Sequence, residues 1–406
     1  MPWPARMVLL ISLPLLLTSA YVGWRMHRAV RILRPTSSRT WSRVIIALGV
    51  FINLLPLVVV LSSLLGATVR MPGILTRGML GDLLLLYPFW IGVLFVGQLV
   101  PYLLVVHGGE IILRRTGRCS PRREKGLAAL TLALIAGGLV YIPLRAFLDT
   151  HTLRIREMTV PITKDLGSLH ELRLVHISDL QRDDRTDAAR VREFVRQVNR
   201  LQPDLVVFSG DLVTSGTRYI DEAARLLGEI RSRFGVYACI GDHDYWADPQ
   251  WIRRSLEEHG IIVLEDETRV VPIGSATLTI TGVTNIYRRR PSRDILERAM
   301  AGRDERALAL FLTHQPTVDL VRRVAEKGYD LFLAGHTHGG QVVFNYFGYR
   351  ACVSNRETSF VSGTFRVGSM LVSVTNGLGL TLAPVRFHAP AEITLLRIVP
   401  ERHGSH

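Results

Sequence analysis

Lysine, cysteine and acidic side chains are all scarce in this 406-residue chain, but each is scarce in a different way. Only Lys125, Lys164 and Lys327 stand among 49 basic residues. A GC-rich coding composition accounts for that, so arginine by itself signals no special guanidinium chemistry. Three cysteines, Cys119, Cys239 and Cys352, are too few for a disulfide framework and read as thiols without a role. Acidic residues almost vanish from the first 150 positions, where Asp82, Glu110, Glu124 and Asp149 face fifteen arginines and Lys125. That stretch therefore carries a surplus of 12 out of the net charge of +14, and the remainder is nearly neutral. A basic chain invites a nucleic-acid reading, because cationic faces neutralise phosphates. This partition removes the motive, and no nucleic-acid partner is expected. Low hydrophobicity is absent too: 48% of the residues are hydrophobic and the mean hydropathy is +0.22. Intrinsic disorder is thereby excluded.

What is present comes in two halves. Residues 1–150 hold four apolar segments, about 7–24, 44–67, 83–106 and 126–144, each long enough for a membrane helix. The first is followed by Arg25, Arg28, Arg31 and Arg34 and reads as a retained helix, since a cleaved signal has its charge in front and a small-residue site behind. Arginine and lysine are retained on the cytoplasmic side. The loops after the first and third segments hold six basic residues each, whereas the loop after the second holds only Arg70 and Arg77. Both rich loops are therefore expected inside, with the N-terminus and everything after the fourth span outside a plasma (inner) membrane. The spans contain only Asn53 and Gln98 as polar amides, with Asp82 at an edge, so they read as an anchor rather than a transport path.

From residue 171 to 398 the pattern changes to short apolar runs alternating with amphipathic stretches, after a connector at 151–170 and before a tail at 399–406. Runs at 172–178, 205–209, 236–240, 308–313 and 331–334 predict strands; 187–200, 221–231, 249–259 and 316–327 predict helices. The fold class is α/β, a layered domain of two sheets flanked by helices, preceded by a four-helix transmembrane domain. Polar residues gather where the strands end: Asp179-Leu180-Gln181, Gly210-Asp211, Gly241-Asp242-His243-Asp244, His314 and Gly335-His336-Thr337-His338. Carboxyl ends of strands are where such sheets place their sites. Carboxylates with imidazoles and no thiolate suit borderline-to-hard divalent cations. Two such ions clamp the attacking and leaving oxygens of a phosphoryl displacement.

In motif order and spacing this half resembles the calcineurin-like metallophosphoesterases, whose motifs run Asp-x-His, Gly-Asp, Gly-Asn-His-Asp/Glu, a lone His and Gly-His-x-His. Gly340-Gln341 and the stretch from Leu378 to Glu392-Ile393 are similar to its membrane-associated bacterial branch, which includes enzymes resembling UDP-2,3-diacylglucosamine hydrolases. The resemblance implies a two-metal phosphoesterase. Asp179 and His338 would hold the first ion, Asp211 would bridge, and Asp242, His314 and His336 would hold the second. His243 stands at the catalytic position, with Asp244 expected to orient its ring. Two ligand positions depart from the family: Gln181 replaces a histidine and Asp242 an asparagine. Both changes move the site toward oxygen donors, which favours Mn²⁺ ahead of Mg²⁺, iron or Zn²⁺.

The remaining polar residues carry plainer expectations. Asp183, Asp184 and Asp187 follow the first motif and read as helix-capping groups. Tyr245 and Trp246 are shared between pocket wall and core. Ser209 lacks a matching base, and His388, His403 and His406 are expected to be solvated. The function expected is a membrane-anchored phosphoesterase on phosphorylated, amphiphilic substrates, with the lipid bilayer as partner. The alternative is a metal-binding membrane receptor or scaffold without turnover, for which Gln181 is the sequence support.

Overall fold

The computed structural model describes residues 3–64 and 79–401. Arg70 and Arg77, the end of the second expected span, and His403 and His406 lie outside the described residues. The described chain divides into two compact units.

The first unit is Met1–Leu148 with the segments Val343–Ala351 and Leu382–His388. It contains α1 (Trp3–Leu33), α2 (Ser38–Ile52), α3 (Leu54–Leu64), a single turn α4 (Met79–Gly81), α5 (Tyr87–Arg115) and most of α6 (Pro121–His151). Among the described residues, three helices are long and apolar enough to cross a membrane, within Ala5–Leu33, Asp82–Arg115 and Pro121–His151. The expected second span is instead two helices bent by 48°, and counts as a fourth only if the bent pair is one span. Pro56 has no amide to give the Ile52 carbonyl, so the helix ladder breaks there, and the Asn53 side chain turns back to the Gly49 carbonyl at 2.8 Å. At the basic ends of the helices, charge is buried as a network. Arg25 donates to Glu110 at 2.8 Å and to Thr131 at 3.1 Å, and Arg28 and Arg114 also meet Glu110. Arg25 and Glu110 are both buried.

The second unit is the α/β domain, Asp149–Val342, Cys352–Thr381 and Ala389–His406. One six-stranded sheet uses β1 (Leu153–Ile162), β2 (Leu172–Ile177), β3 (Leu205–Phe208), β4 (Val236–Ala238) and β5 (Ile261–Val263), with β14 (Ala391–Pro400) antiparallel to β2. The second sheet has the order β12 (Gly363–Val367), β13 (Met370–Val374), β9 (Leu331–Ala334), β8 (Leu308–Leu312), β7 (Ala276–Gly282), β6 (Glu267–Ile273). Helices α7 (Ala188–Arg200), α8 (Ile220–Leu227), α9 (Asp242–Ala247), α10 (Pro249–Glu258), α11 (Arg293–Met300) and α12 (Val318–Glu326) complete it.

Alternation along the strands builds the layers. Leu172, Leu174, Leu205 and Val207 of the first sheet meet Leu308, Leu310, Leu331 and Leu333 of the second in the central core. Their neighbours Val175, Val206 and Phe208 face α7, α8 and α10, while Phe311 and Phe332 face α11 and α12. Both expected sheets flanked by helices are present. The segment expected as connector contains β1, a ten-residue strand parallel to β14. Its first half is largely exposed and polar, which hid it from an apolar-run reading.

Candidate metal centre

β2, β8 and β9 each end two residues before an expected ligand, β3 three residues before Asp211 and β4 four residues before Asp242, and these loops converge. Five of the expected ligands sit in the left-handed backbone region: Asp179 (φ 51°), Gln181 (φ 50°), Asp211 (φ 62°), His336 (φ 68°) and His338 (φ 51°). Non-glycine residues rarely adopt that conformation, and its clustering is a mark of functional sites. Two glycines make the close approach possible. A Cβ on Gly241 would strike the Asp211 carboxylate, and one on Gly335 would strike the Ser178 hydroxyl and the Asp179 carboxylate.

Among the described residues two metal-ligating groups form, Asp179–Asp211–His338 and Asp242–His314–His336, with donor atoms in each all within 4.8 Å of one another. His338 Nε2 lies 3.3 Å from Asp179 Oδ1. His336 Nδ1 lies 3.0 Å from Asp242 Oδ2 and 3.3 Å from His314 Nε2. The groups adjoin, since His314 Nε2 is 3.4 Å from both Asp211 Oδ2 and Asp242 Oδ2. Gln181 joins the first group through Nε2, 2.9 Å from Asp211 Oδ2, while its buried Oε1 has no hydrogen-bond partner. An unpartnered amide oxygen beside buried carboxylates and imidazoles is what a hard-cation site leaves open when polar groups are otherwise satisfied. The residues present therefore fit divalent metal.

Electrostatics agree. Burial pushes the Asp179 carboxyl up to about 6, with the neighbouring Asp211 adding to the effect. Burial would do the same to Asp211, but His314 and His243 hold it down to about 2. Asp242 is likewise buried, yet His314 and His336 keep it far below the carboxylate range. His314 is raised well above the usual imidazole value against its burial, by Asp211 first and then Asp242. Buried carboxylates outnumber the cations that balance them.

His243 begins α9, where its amide donates to Asp211 Oδ1 at 2.8 Å and its ring Nδ1 stands 2.5 Å from the Thr214 carbonyl. The expected partner of that ring, Asp244, is not beside it. Its carboxylate accepts from the amides of Asp211 (2.8 Å), Leu212 (2.7 Å) and Gly241 (3.0 Å), fixing the backbone of the Asp211 loop. Adjacent residues of a helix point in different directions, so 243 and 244 cannot pair. Burial raises Asp244 to about 6.

Other expectations divide. Asp187 caps α7 by accepting from the Arg190 amide at 2.8 Å. Asp183 closes a local turn on the amides of Arg185 and Thr186. Trp246 is half-exposed, with its ring 5.0 Å from His243 and parallel to Tyr287, whereas Tyr245 packs against the core. Ser209 does have a base in reach, His176 Nε2 at 2.9 Å, but both are completely buried. Cys239 is free and buried, and Cys119 and Cys352 are free as well.

Three groups were not singled out from sequence. Gln315 donates to Asp242 Oδ2 at 2.5 Å, the Tyr287 amide donates to Asp242 Oδ1 at 2.8 Å, and Glu357 meets His336 Nε2 at 3.0 Å. Only Gln315 had a signal, its place directly after His314.

The family profile described as calcineurin-like phosphoesterase matches residues 172–340. The chain carries a calcineurin-like metallophosphoesterase domain. It is a hydrolase acting on phosphoric esters, of a family that binds divalent metals. It is 27% identical over 325 residues to the zebrafish (Danio rerio) transmembrane protein with metallophosphoesterase domain, covering 76% of this chain and 73% of that one. It is 24% identical to the metallophosphoesterase YkuE of Bacillus subtilis, covering 68% of this chain and 97% of that protein. A solved Thermus thermophilus protein, TT1561, aligns over 51% of this chain and 90% of its own, at 12% identity and a TM-score of 0.36.

Proposed function

We propose that this metallophosphoesterase works as a membrane-anchored enzyme with two divalent ions, Mn²⁺ ahead of Mg²⁺, on phosphorylated amphiphiles. The observation that carries the reading is the pair of adjoining ligand groups, joined through Asp211, on a chain with three apolar helices long enough to span. Asp179, Gln181, Asp211 and His338 would hold one ion, and Asp242, His314 and His336 the other. The oxygen-rich donor set supports manganese or magnesium. Bound there, the metals supply an acidified water and charge balance for the phosphoryl oxygens.

The chain's own groups do the rest. The Thr214 carbonyl holds His243 through Nδ1–H, which leaves Nε2 to carry the proton that the departing ester oxygen receives. Asp211 receives the His243 amide, so the bridging carboxylate and the acid are aligned by one hydrogen bond. Glu357 and Gln315 fix the ring of His336 and the carboxylate of Asp242, the arrangement by which surrounding groups set ligand basicity.

Contacts among Arg25, Arg28, Glu110, Arg114 and Glu124 bring the two arginine-rich loops to one end of the helical unit. This supports both loops on the cytoplasmic side of a plasma (inner) membrane and the catalytic domain on the other. Lipid-linked pyrophosphates are candidate substrates by family resemblance, and the outward orientation favours substrates exposed on the outer leaflet.

The test is hydrolysis by full-length protein in lipid nanodiscs with Mn²⁺, over monoesters, diesters and lipid-linked pyrophosphates. At least one class should be turned over and lose about 10³-fold or more in rate on Asp211→Ala and on His243→Ala, the latter with unchanged melting of the metal-free protein. No Mn²⁺-dependent turnover of any class would favour the receptor reading.

A further inference from the structure

Gln98 is a polar amide in the middle of α5, one of the apolar spans, and an unpaired amide in hydrocarbon costs several kcal/mol. Its partner lies 247 residues away. The side-chain Nε2 donates to the Asn345 carbonyl at 2.6 Å, and the Asn345 amide donates back to Oε1 at 3.1 Å. Gln98 thus acts as one residue of a strand, pairing both backbone groups of Asn345. That residue belongs to a small hairpin, β10 (Phe344–Tyr346) and β11 (Tyr349–Ala351), which groups with the helical unit.

The fit is specific along the helix. The Tyr102 hydroxyl donates to the same Asn345 carbonyl at 2.8 Å, and the Tyr346 hydroxyl to the Gly97 carbonyl at 2.8 Å. Gly97 is required by closeness, since a Cβ there would stand 2.5 Å from the Phe344 ring. Leu382–His388 braces the hairpin from the other side. His388, expected to be solvated, joins the Val343 carbonyl at 2.9 Å, and the Tyr141 hydroxyl of α6 stands 2.8 Å from its other ring nitrogen.

At 1.5 Å per residue, Gln98 and Tyr141 each lie about 24 Å along their helices from the basic ends at Arg114 and Lys125. A hydrocarbon core is about 30 Å thick. Both contacts therefore fall inside it, toward the face remote from the basic loops. The hairpin tip nonetheless shows aromatic side chains: Phe347 is 69% and Tyr349 65% exposed. Phe347 keeps a left-handed backbone (φ 51°) and rests 4.8 Å from the Tyr102 ring.

We propose that the hairpin Phe344–Ala351 is itself inserted in the bilayer, in the leaflet remote from the basic loops, with Phe347 and Tyr349 facing lipid. The inference rests on the reading of α5 and α6 as spans and adds an element to it. The outer edge of β10 is satisfied at Asn345 by Gln98 and Tyr102 and its inner edge by β11, as non-helical chain at membrane depth requires, and the Arg350 guanidinium donates to the His388 carbonyl at 3.0 Å. The Tyr349 ring, with its polar tip, belongs toward the interface, and the wholly apolar Phe347 ring belongs in hydrocarbon. Only Gln341 and Val342 separate Gly340 from Val343, so the hairpin follows in sequence directly on the segment bearing His336 and His338.

The test uses full-length protein in proteoliposomes, with Cys119→Ser, Cys239→Ala and Cys352→Ser as background. Single cysteines at Phe347, at lipid-facing Val140 of α6 and at exposed Val270 of β6 are labelled with bimane and quenched by nitroxide-bearing lipids or by aqueous iodide. The Phe347→Cys label should follow Val140→Cys, at least twofold more sensitive to lipid nitroxide than Val270→Cys and protected from iodide. Gln98→Leu should release it toward iodide. A Phe347→Cys label that follows Val270→Cys while Val140→Cys is lipid-quenched overturns the insertion and leaves the spans standing. Iodide quenching at both Val140→Cys and Phe347→Cys overturns the spans and the insertion together.

Discussion

The two units bury charge in opposite ways. At the basic ends of the helices, Glu110 is surrounded by Arg25, Arg28 and Arg114, and Arg114 goes on to Glu124. Every carboxylate there has a guanidinium in contact. In the α/β domain Asp179, Asp211, Asp242 and Asp244 are all buried, with histidines, among the described residues, as the only side chains near them able to carry positive charge, and two of the four carboxyls are raised to about 6. A self-compensated cluster needs nothing from outside and serves the fold. An under-compensated one keeps its shape at a cost and gains when a cation arrives. The difference separates a structural cluster from a binding site without reference to any motif.

Removing a carboxylate breaks or sustains the comparison most directly. Glu110→Gln leaves buried Arg25 without its counter-ion, and losing one partner of such a pair costs about 3–5 kcal/mol. A fall of roughly 10 °C in melting temperature is expected in detergent micelles. Asp179→Asn removes a charge the fold holds reluctantly. Metal-free protein carrying it should melt no lower than wild type, and Mn²⁺ should no longer raise its melting point. Equal losses in the two variants would erase the distinction.

Acidity tests the same contrast from the solvent side. Asp179 and Asp244 titrate at about 6 in the fold against 3.8 in the unfolded chain, so the metal-free fold loses stability as pH rises through that window. His314 and His336 are raised above 6.5, and their contribution is lost as pH rises through their folded values. Asp211 and Asp242 act at the other end, stabilising above 3.8 and failing only as pH falls toward about 2 for Asp211. Between pH 5 and pH 8 the metal-free protein should lose on the order of 5–10 °C in melting temperature. Mn²⁺ should flatten that slope by taking the place of the protons.

The convergence of Asp179, Asp211, Asp242, His314, His336 and His338 was readable because each follows an apolar run at a strand end. Side-chain direction was not readable. Asp244 follows His243 in sequence, but the turn of α9 sends it to three backbone amides instead of the imidazole. Glu357 comes from a loop whose position depends on the whole second sheet, so no local pattern announces its contact with His336. In the helical unit, Gln98 was visible as an oddity, but its explanation lies in Asn345, far along the chain. β1 was hidden because its exposed half has no apolar run.

Gln181 offers the finest adjustment of the under-compensated cluster. Its amide nitrogen already donates to Asp211, and its buried Oε1 has no hydrogen-bond partner. An amide oxygen is a weaker donor than an imidazole nitrogen toward transition metals. Histidine also tolerates the left-handed backbone that Gln181 adopts at φ 50°. Gln181→His should therefore tighten Mn²⁺ by about tenfold, at the low end of what a change around a metal ligand produces. It should tighten Zn²⁺ by more than Mn²⁺, because imidazole favours the softer ion. Calorimetric titration of the metal-free full-length protein reads both constants. Unchanged affinity for both ions would mean that residue 181 only positions Asp211, and the first ion would then rest on Asp179, Asp211 and His338 alone.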